Sequence, residues 1–250
     1  MGVLSSFALS FNNKVMERIP PYIPIVFGLT VLAGSWLFAK ATRYNRAFLV
    51  VMTAWLAFQS AMGLTGFYAA TTPGPPRFPL LLLPPLLTII ALMSTAWGKA
   101  FVNRLDLRTL TLFHLVRIPV EIVLVWLFTH KAIPQLMTFE GRNFDIFSGL
   151  SAPLVYYFGF FGNRPNKTWL LVWNFVCLAL VVNVAISGLL SAPTPLQQFA
   201  FHQPNIAIGY FPFNLLPSCL VPLVMLAHLA SIRQLLRQKT RPTNVKLVRP

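Results

Sequence analysis

Seven long apolar stretches constrain this chain more than any other feature of its sequence. A stretch of about 18 or more largely uncharged apolar residues is long enough to cross a bilayer as a helix. By that rule we predict seven spans, at residues 22–39, 47–70, 78–98, 109–129, 144–162, 168–190 and 208–232. Because the connections are short, they favour a single bundle in which consecutive helices run antiparallel. We therefore expect an all-α membrane protein with one transmembrane domain and no separate soluble domain.

The charged residues predict how the bundle is oriented. Only 10% of the residues are charged, and 20 Lys and Arg against 5 Asp and Glu give a formal net charge of +15. The basic residues lie between the apolar stretches, which indicates topology signals and contact with anionic lipid headgroups rather than nucleic-acid binding. Most loop lysines and arginines fall on the side of the basic tail, residues 233–250. We expect a cytoplasmic C-terminus, an outside N-terminus and an interfacial lead at residues 1–19.

The fourth predicted span carries three ionisable residues, in the stretch HLVRIPVE. Helical geometry places His114, Arg117 and Glu121 within about 60° of one another, on one face. Counted from Thr109, these residues lie roughly 7, 12 and 18 Å deep at about 1.5 Å per residue. A charge near the bilayer centre costs at least about 2.5–3.5 kcal/mol, so this face is expected to point into the bundle.

Two interpretations of this face remain open. In the structural one, Arg117 and Glu121 form an ion pair that fixes helix packing. In the functional one, they form a site for a proton, an ion or a polar substrate. Gln59 in the second span and Asn183 in the sixth fall at related depths, and each is either an interhelical hydrogen bond or part of a polar cavity shared with Glu121.

A second polar group falls between the fourth and fifth spans, on the predicted outer side. Asn143 is a candidate N-cap for the fifth span, with Asp145 complementing the helix dipole in its first turn. The alternative is that Glu140, Arg142 and Asp145 line the mouth of a pocket. The loop of residues 194–205, which contains His202 and several amides, fits a lid or rim.

The four histidines require metal and haem sites to be weighed. His114 and His228 fall at similar depths, so a bis-imidazole haem is one alternative. His130 and His202, with Glu140 or Asp145, are a second candidate for a metal site, but no HxxxH or HExxH spacing supports it. We therefore expect neither a metal nor another cofactor. No GxSxG, P-loop or dense histidine set indicates a catalytic class.

Three segments carry a resemblance to a known group of proteins. These are FHLVRIPVEIVLVWLF, LMTFEGRNFDIFSGLSAPL and LLSAPTPLQQFAFHQPNIAIGYFPF. Together they resemble a group of uncharacterised bacterial multi-pass membrane proteins, over most of spans four to seven. The resemblance implies a bacterial cytoplasmic (inner) membrane location and adds no catalytic residue.

The leading functional hypothesis is a non-enzymatic membrane protein that binds, or also moves, a small polar ligand or ion through a cavity opening outward. Arg117 and Glu121 would form its floor. Its rim would be formed by Glu140, Arg142, Asp145 and His202.

Two alternatives belong to other functional classes. The chain is an accessory or assembly subunit that packs against other membrane proteins, in which case the polar face is structural. Otherwise it is a membrane enzyme acting on a lipid or isoprenoid, with Glu121 or Asp145 as acid or base and His114 or His202 as its partner.

Overall fold

The fold is a bundle of apolar helices. A computed structural model describes residues 12, 14–69, 77–160 and 166–238, and this part of the chain contains helices and no strand. Most of the predicted lead (1–19) and of the basic tail (233–250) lies outside the described residues. Five helical segments are long and apolar enough to cross a membrane: Tyr22–Ala41 (α1), Arg46–Leu64 (α2), Leu107–Thr129, Lys167–Leu190 (α8) and Leu216–Arg237.

The third predicted span is not one straight helix. Helix α3 (Pro79–Ser94) is followed by α4 (Ala96–Val102) at an angle of 93°. The break lies at Thr95, which is extended and accepts a hydrogen bond from the backbone N–H of Gly98 at 3.1 Å, so that it caps α4. Prolines inside a membrane helix commonly produce a kink, yet Pro84 and Pro85 both lie inside α3 and the chain changes direction after that helix.

The segment Leu107–Thr129, called the central span below, has three parts. Helix α5 (Leu107–Phe113) is capped by Asp106, whose carboxylate accepts the backbone N–H of Thr109 at 2.8 Å. A 3₁₀ turn, His114–Val116, joins it to α6 (Arg117–Thr129). The tighter turn ends three residues before Pro119, which has no N–H to donate to the Leu115 carbonyl within that turn. His114 lies in the 3₁₀ turn, Arg117 is the first residue of α6, and Glu121 lies one helical turn further along α6.

The fifth predicted span contains a helix too short to cross the bilayer in full. Helix α7 (Ile146–Gly159) has 14 residues, or about 21 Å at about 1.5 Å per residue, against roughly 30 Å of bilayer hydrocarbon. It packs beside the Leu107 half of the central span: Phe160 lies under the Arg108 guanidinium at 5.5 Å. At its other end, a Cβ added to Gly149 would lie 3.2 Å from the backbone nitrogen of Ile118, so glycine allows a close helix contact.

Irregular backbone covers the other half of the central span. Val123, Leu124 and Leu127 pack in one core with residues from 132–137 and 206–216. The two segments are hydrogen-bonded to each other, because the N–H groups of Ile206 and Ala207 donate to the Ala132 carbonyl at 3.0 and 3.1 Å. Non-helical backbone at membrane depth is tolerated where protein buries it or where it lines a cavity.

The last span begins with a widened turn. A π-helical turn, Leu216–Leu220, leads into α9 (Val221–Gln238), which packs along α8. Pro222 has no N–H to donate to the Ser218 carbonyl four residues earlier. The indole N–H of Trp55 donates to that carbonyl at 2.8 Å, which joins the otherwise exposed helix α2 to the bundle.

Candidate functional site

Seven buried polar side chains, here called the polar cluster, meet between the central span, α7, α8 and α9. At most 7% of each residue is exposed. Three of them lie on the central span, two precede α7, one lies on α8 and one lies on α9. The members are His114, Arg117, Glu121, Asn143, Asp145, Asn174 and His228.

An ion pair lies at the centre of the polar cluster. Arg117 Nη1 donates to Asp145 Oδ1 at 2.6 Å, and the two side chains are 3% and 9% exposed. The predicted structural pair of Arg117 with Glu121 is therefore wrong for this state, since the arginine is paired with Asp145 instead. The short length of α7 explains the difference, because it brings the start of that helix to the level of Arg117.

The position of Asp145 also corrects its two predicted roles. Asp145 precedes the first residue of α7 but makes no capping hydrogen bond, because its carboxylate is engaged by Arg117. It is buried rather than placed on a rim. Asn143 does not cap the helix either: its Oδ1 accepts the backbone N–H of Asp145 at 3.0 Å.

His228 is held in one tautomer by its two neighbours. The Asn174 amide nitrogen donates to the Leu170 carbonyl at 2.7 Å, so its Oδ1 accepts from His228 Nδ1 at 2.9 Å. The other ring nitrogen, Nε2, then accepts from Arg117 Nη2 at 3.2 Å. In this arrangement the His228 imidazole is neutral and orients the guanidinium toward Asp145.

His114 stacks directly on His228. The ring centroids are 3.9 Å apart and the planes are inclined by 11°, while the Trp173 indole meets the two rings edge-on at 5.3 and 5.6 Å. Axial ligands approach a haem iron from opposite faces of the porphyrin, so a bis-imidazole site needs two imidazoles with the macrocycle between them. The stacked pair leaves no room for one, and these residues do not fit the predicted haem alternative.

Glu121 is buried in the bundle and is hydrogen-bonded to the segment before α7. Its residue is 1% exposed, and Oε1 accepts from the Asn143 amide nitrogen at 2.7 Å. The same amide nitrogen donates to the Met137 carbonyl at 2.9 Å. One irregular segment, residues 137–145, therefore supplies the partners of both Arg117 and Glu121.

Several polar atoms of this region have no hydrogen-bond partner among the described residues. They are Oε2 of Glu121, Nε of Arg117 and both ring nitrogens of His114. Buried polar atoms are almost always paired, and each exception calls for an explanation such as a water, an ion or a functional role. The unpaired set contains donors and acceptors, which suits a proton or a small polar ligand.

The predicted amides of the second and sixth spans lie elsewhere. Gln59 is fully buried and accepts the Tyr68 hydroxyl at 2.9 Å, while the amide of Asn214 donates to the Gln59 backbone carbonyl at 2.8 Å. Burial raises the pKa of the Tyr68 hydroxyl above its ordinary value. Asn183 is exposed and donates to the Arg142 carbonyl at 3.0 Å. Neither amide is brought to Glu121.

The predicted rim residues differ in their solvent exposure. Glu140, Arg142 and His202 are exposed, in contrast to the buried Asp145. His130 Nδ1 lies 2.7 Å from the Trp126 carbonyl. No group of three His, Cys, Asp or Glu side chains within the described ranges is placed to hold a metal ion.

Two buried amides that sequence reasoning missed are Asn174, which belongs to the polar cluster, and Asn214, which contacts Gln59. Each is a polar residue inside an apolar stretch, at residues 167–190 and 206–224, which is the same signal that identifies Glu121. A single amide has no charge and no characteristic spacing, so its partner cannot be read from the sequence.

The fold and this cluster together define a multi-pass helical membrane protein with an ionisable core. The chain belongs to the family described as "Domain of unknown function (DUF8737)", whose model matches residues 77–236. All seven members of the polar cluster lie within that range, whereas Gln59 lies outside it. No curated protein and no solved structure matches the chain.

Proposed function

We propose that this protein binds a small polar ligand or ion at the polar cluster and moves it through the membrane. The expected setting is the bacterial cytoplasmic membrane, with the C-terminus in the cytoplasm and the site opening outward. The carrying observation is that Glu121, only 1% exposed, has a carboxylate oxygen with no partner among the described residues. Burying an ionisable carboxyl group inside a bilayer costs free energy, so such a group is a functional-site hypothesis by default.

The short helix α7 supports the proposal. Membrane proteins that bind solutes near the bilayer midplane do so where helices are interrupted, because free backbone groups and helix ends line the site there. Here α7 begins beside Arg117, and the irregular segment before it holds Glu121 through Asn143. A site at this position can open when that segment moves, without unpacking any full-length span.

The exposed residues of the same segment provide a route. Glu140 and Arg142 precede Asn143 directly, and the Arg142 backbone is fixed to α8 through Asn183. We place the mouth of the site here, and we assign His202, an exposed residue of the loop 194–205, to its rim. In this proposal Asp145 belongs to the floor rather than to the rim.

The test uses purified full-length protein in detergent. Its melting temperature is measured with a panel of inorganic cations, inorganic anions and small polar solutes, and across pH. We expect at least one condition to stabilise the wild type by mass action and to have no effect on Glu121→Gln. Glu140→Gln is the matched control, since it makes the same change at an exposed position and keeps the wild-type response. Identical responses of all three proteins would sink the proposal.

A second candidate is an accessory subunit of a membrane complex, and one observation favours it. Only 11% of the apolar window of α2 is buried, the smallest share among the five long spans. A helix that its own bundle covers so little offers a surface to another membrane protein. Purification after mild solubilisation of native membranes distinguishes the candidates, because a stoichiometric partner supports the subunit and its absence supports a protein acting alone.

A further inference from the structure

Two unpaired groups of the polar cluster complement each other. Arg117 Nε is a donor without an acceptor, and Glu121 Oε2 is an acceptor without a donor. The two residues are four apart on α6, so their side chains lie on neighbouring turns of one face. In the structure they are held apart by a single segment, because Asp145 takes the guanidinium and Asn143 takes the Glu121 carboxyl.

The charges of these groups determine how many protons the cluster holds. It contains one guanidinium and two carboxyl groups, and the guanidinium is paired with Asp145. Glu121 has the neutral amide of Asn143 as its hydrogen-bond partner and forms no ion pair with a described residue. A buried carboxyl without a cation is held in its neutral form by the cost of desolvating the charge. One proton makes the whole cluster neutral, and in this arrangement Glu121 carries it.

We propose that the ion handled at this site is a proton, shared between Glu121 and Asp145 by an exchange of the Arg117 guanidinium. This inference rests on the proposed function and specifies its ligand. In one state Arg117 pairs with Asp145 and Glu121 is protonated. In the other state Arg117 pairs with Glu121 and Asp145 is protonated.

The exchange conserves atoms and charge. The O–H bond of Glu121 breaks and an O–H bond forms on Asp145, while Arg117 keeps all its protons and its guanidinium swings from Asp145 to Glu121. A proton that enters at one carboxyl group and leaves from the other has crossed the region between them. The amide of Asn143, which contacts Glu121 and the backbone of Asp145, is a positioning group for this step.

The other titratable groups around the pair are consistent with one shared proton. His114 on the central span and His228 on α9 lie on the side of Arg117, and Cys177 on α8 is also close to it. His228 accepts a hydrogen bond from the guanidinium, so it stays neutral in the structure. A positive charge on either histidine would be repelled by the Arg117 guanidinium.

The experiment is infrared spectroscopy of the full-length protein in lipid vesicles at neutral pH. A protonated carboxyl group gives a carbonyl stretching band distinct from the bands of a carboxylate. We expect one such band in the wild type and its loss in Glu121→Gln. Glu140→Gln keeps the band, because that carboxyl group is exposed. Absence of the band from the wild type overturns the inference without any variant.

The decisive variant leaves Glu121 intact. In Asp145→Asn, Arg117 loses its anion and pairs with Glu121, so Glu121 ionises and the band disappears. If the band persists in this variant, the two carboxyl groups do not share the guanidinium. Arg117→Gln provides a second measurement if Asp145→Asn fails to fold. With no cation present both carboxyl groups stay protonated, so the band should be about twice as strong.

These results are separable from the test of the proposed function. A wild type without the band that is nonetheless stabilised by a particular solute keeps the binding site and excludes the shared proton. A wild type with the band whose stability responds to pH but to none of the solutes keeps the proton and excludes the other ligands of the panel.

Discussion

Removing Asp145 and Glu121 separately and together should give strongly non-additive losses of stability. In Asp145→Asn the arginine pairs with Glu121, so the free energy of unfolding falls by about 1 kcal/mol, the net value of a typical hydrogen bond. Glu121→Gln replaces a neutral acid by a neutral amide of the same shape, and we expect a similar loss of about 1 kcal/mol. In the double variant Arg117 has no anion, and an unpaired buried charge costs about 3–5 kcal/mol.

The expected interaction energy is therefore about 1–3 kcal/mol, within the range found for residues that share a partner. Unfolding is measured by titrating denaturing detergent into mixed micelles and following tryptophan fluorescence. Trp173 is a suitable reporter because its ring lies 5.3 Å from His114 and 5.6 Å from His228. Glu140→Gln should leave the transition unchanged. The reasoning fails if Asp145→Asn alone costs the full amount and Glu121→Gln adds nothing to it.

The remaining predictions concern packing and hydrogen bonding around the cluster. Asn174→Leu leaves the Nδ1–H of the neighbouring imidazole without an acceptor, so unfolding should become easier by about 1–3 kcal/mol; an unchanged denaturation midpoint would contradict the assigned tautomer. Gly149→Leu forces α7 away from Ile118, and we expect a loss of about 1–3 kcal/mol in the same titration. Phe38→Ala empties a fully buried site and should cost about 3–5 kcal/mol, whereas Leu87→Ala, at an exposed residue, should cost almost nothing.

Hydropathy predicts the long helices because it depends on local composition alone. The predicted spans 22–39, 109–129 and 168–190 agree within two residues with α1, the central span and α8. The offsets in HLVRIPVE also predict that its three ionisable residues face inward, and all three are buried. Helical periodicity is sufficient for that inference, because a single helix determines which of its residues share a face.

Breaks in helices are harder to predict from the same signal. Residues 144–162 are apolar enough for a full span, yet α7 covers only Ile146–Gly159. The chain before it is tied to the central span by the hydrogen bond from Asn143 to Glu121, a residue 22 positions away in the sequence. At residues 78–98 the capping hydrogen bond of Thr95, rather than the proline pair, determines where the direction changes.

The partner of Arg117 could not be predicted for a related reason. Glu121 is the one acidic residue within a helical turn of it, so the sequence favours that pair. Asp145 is separated from Arg117 by 28 positions and reaches it only because α7 starts inside the bundle. His228 and Asn174 likewise come from helices whose rotation the sequence does not specify.

The most direct measurement of the central claim, that Glu121 is the ion-handling group, is proton flux in vesicles. Full-length protein is reconstituted into liposomes that contain a pH-sensitive dye, and the external solution is acidified. We expect wild-type vesicles to acidify internally faster than protein-free vesicles, Glu140→Gln to match the wild type, and Glu121→Gln to fall to the protein-free rate. Equal rates for Glu121→Gln and the wild type would contradict the claim.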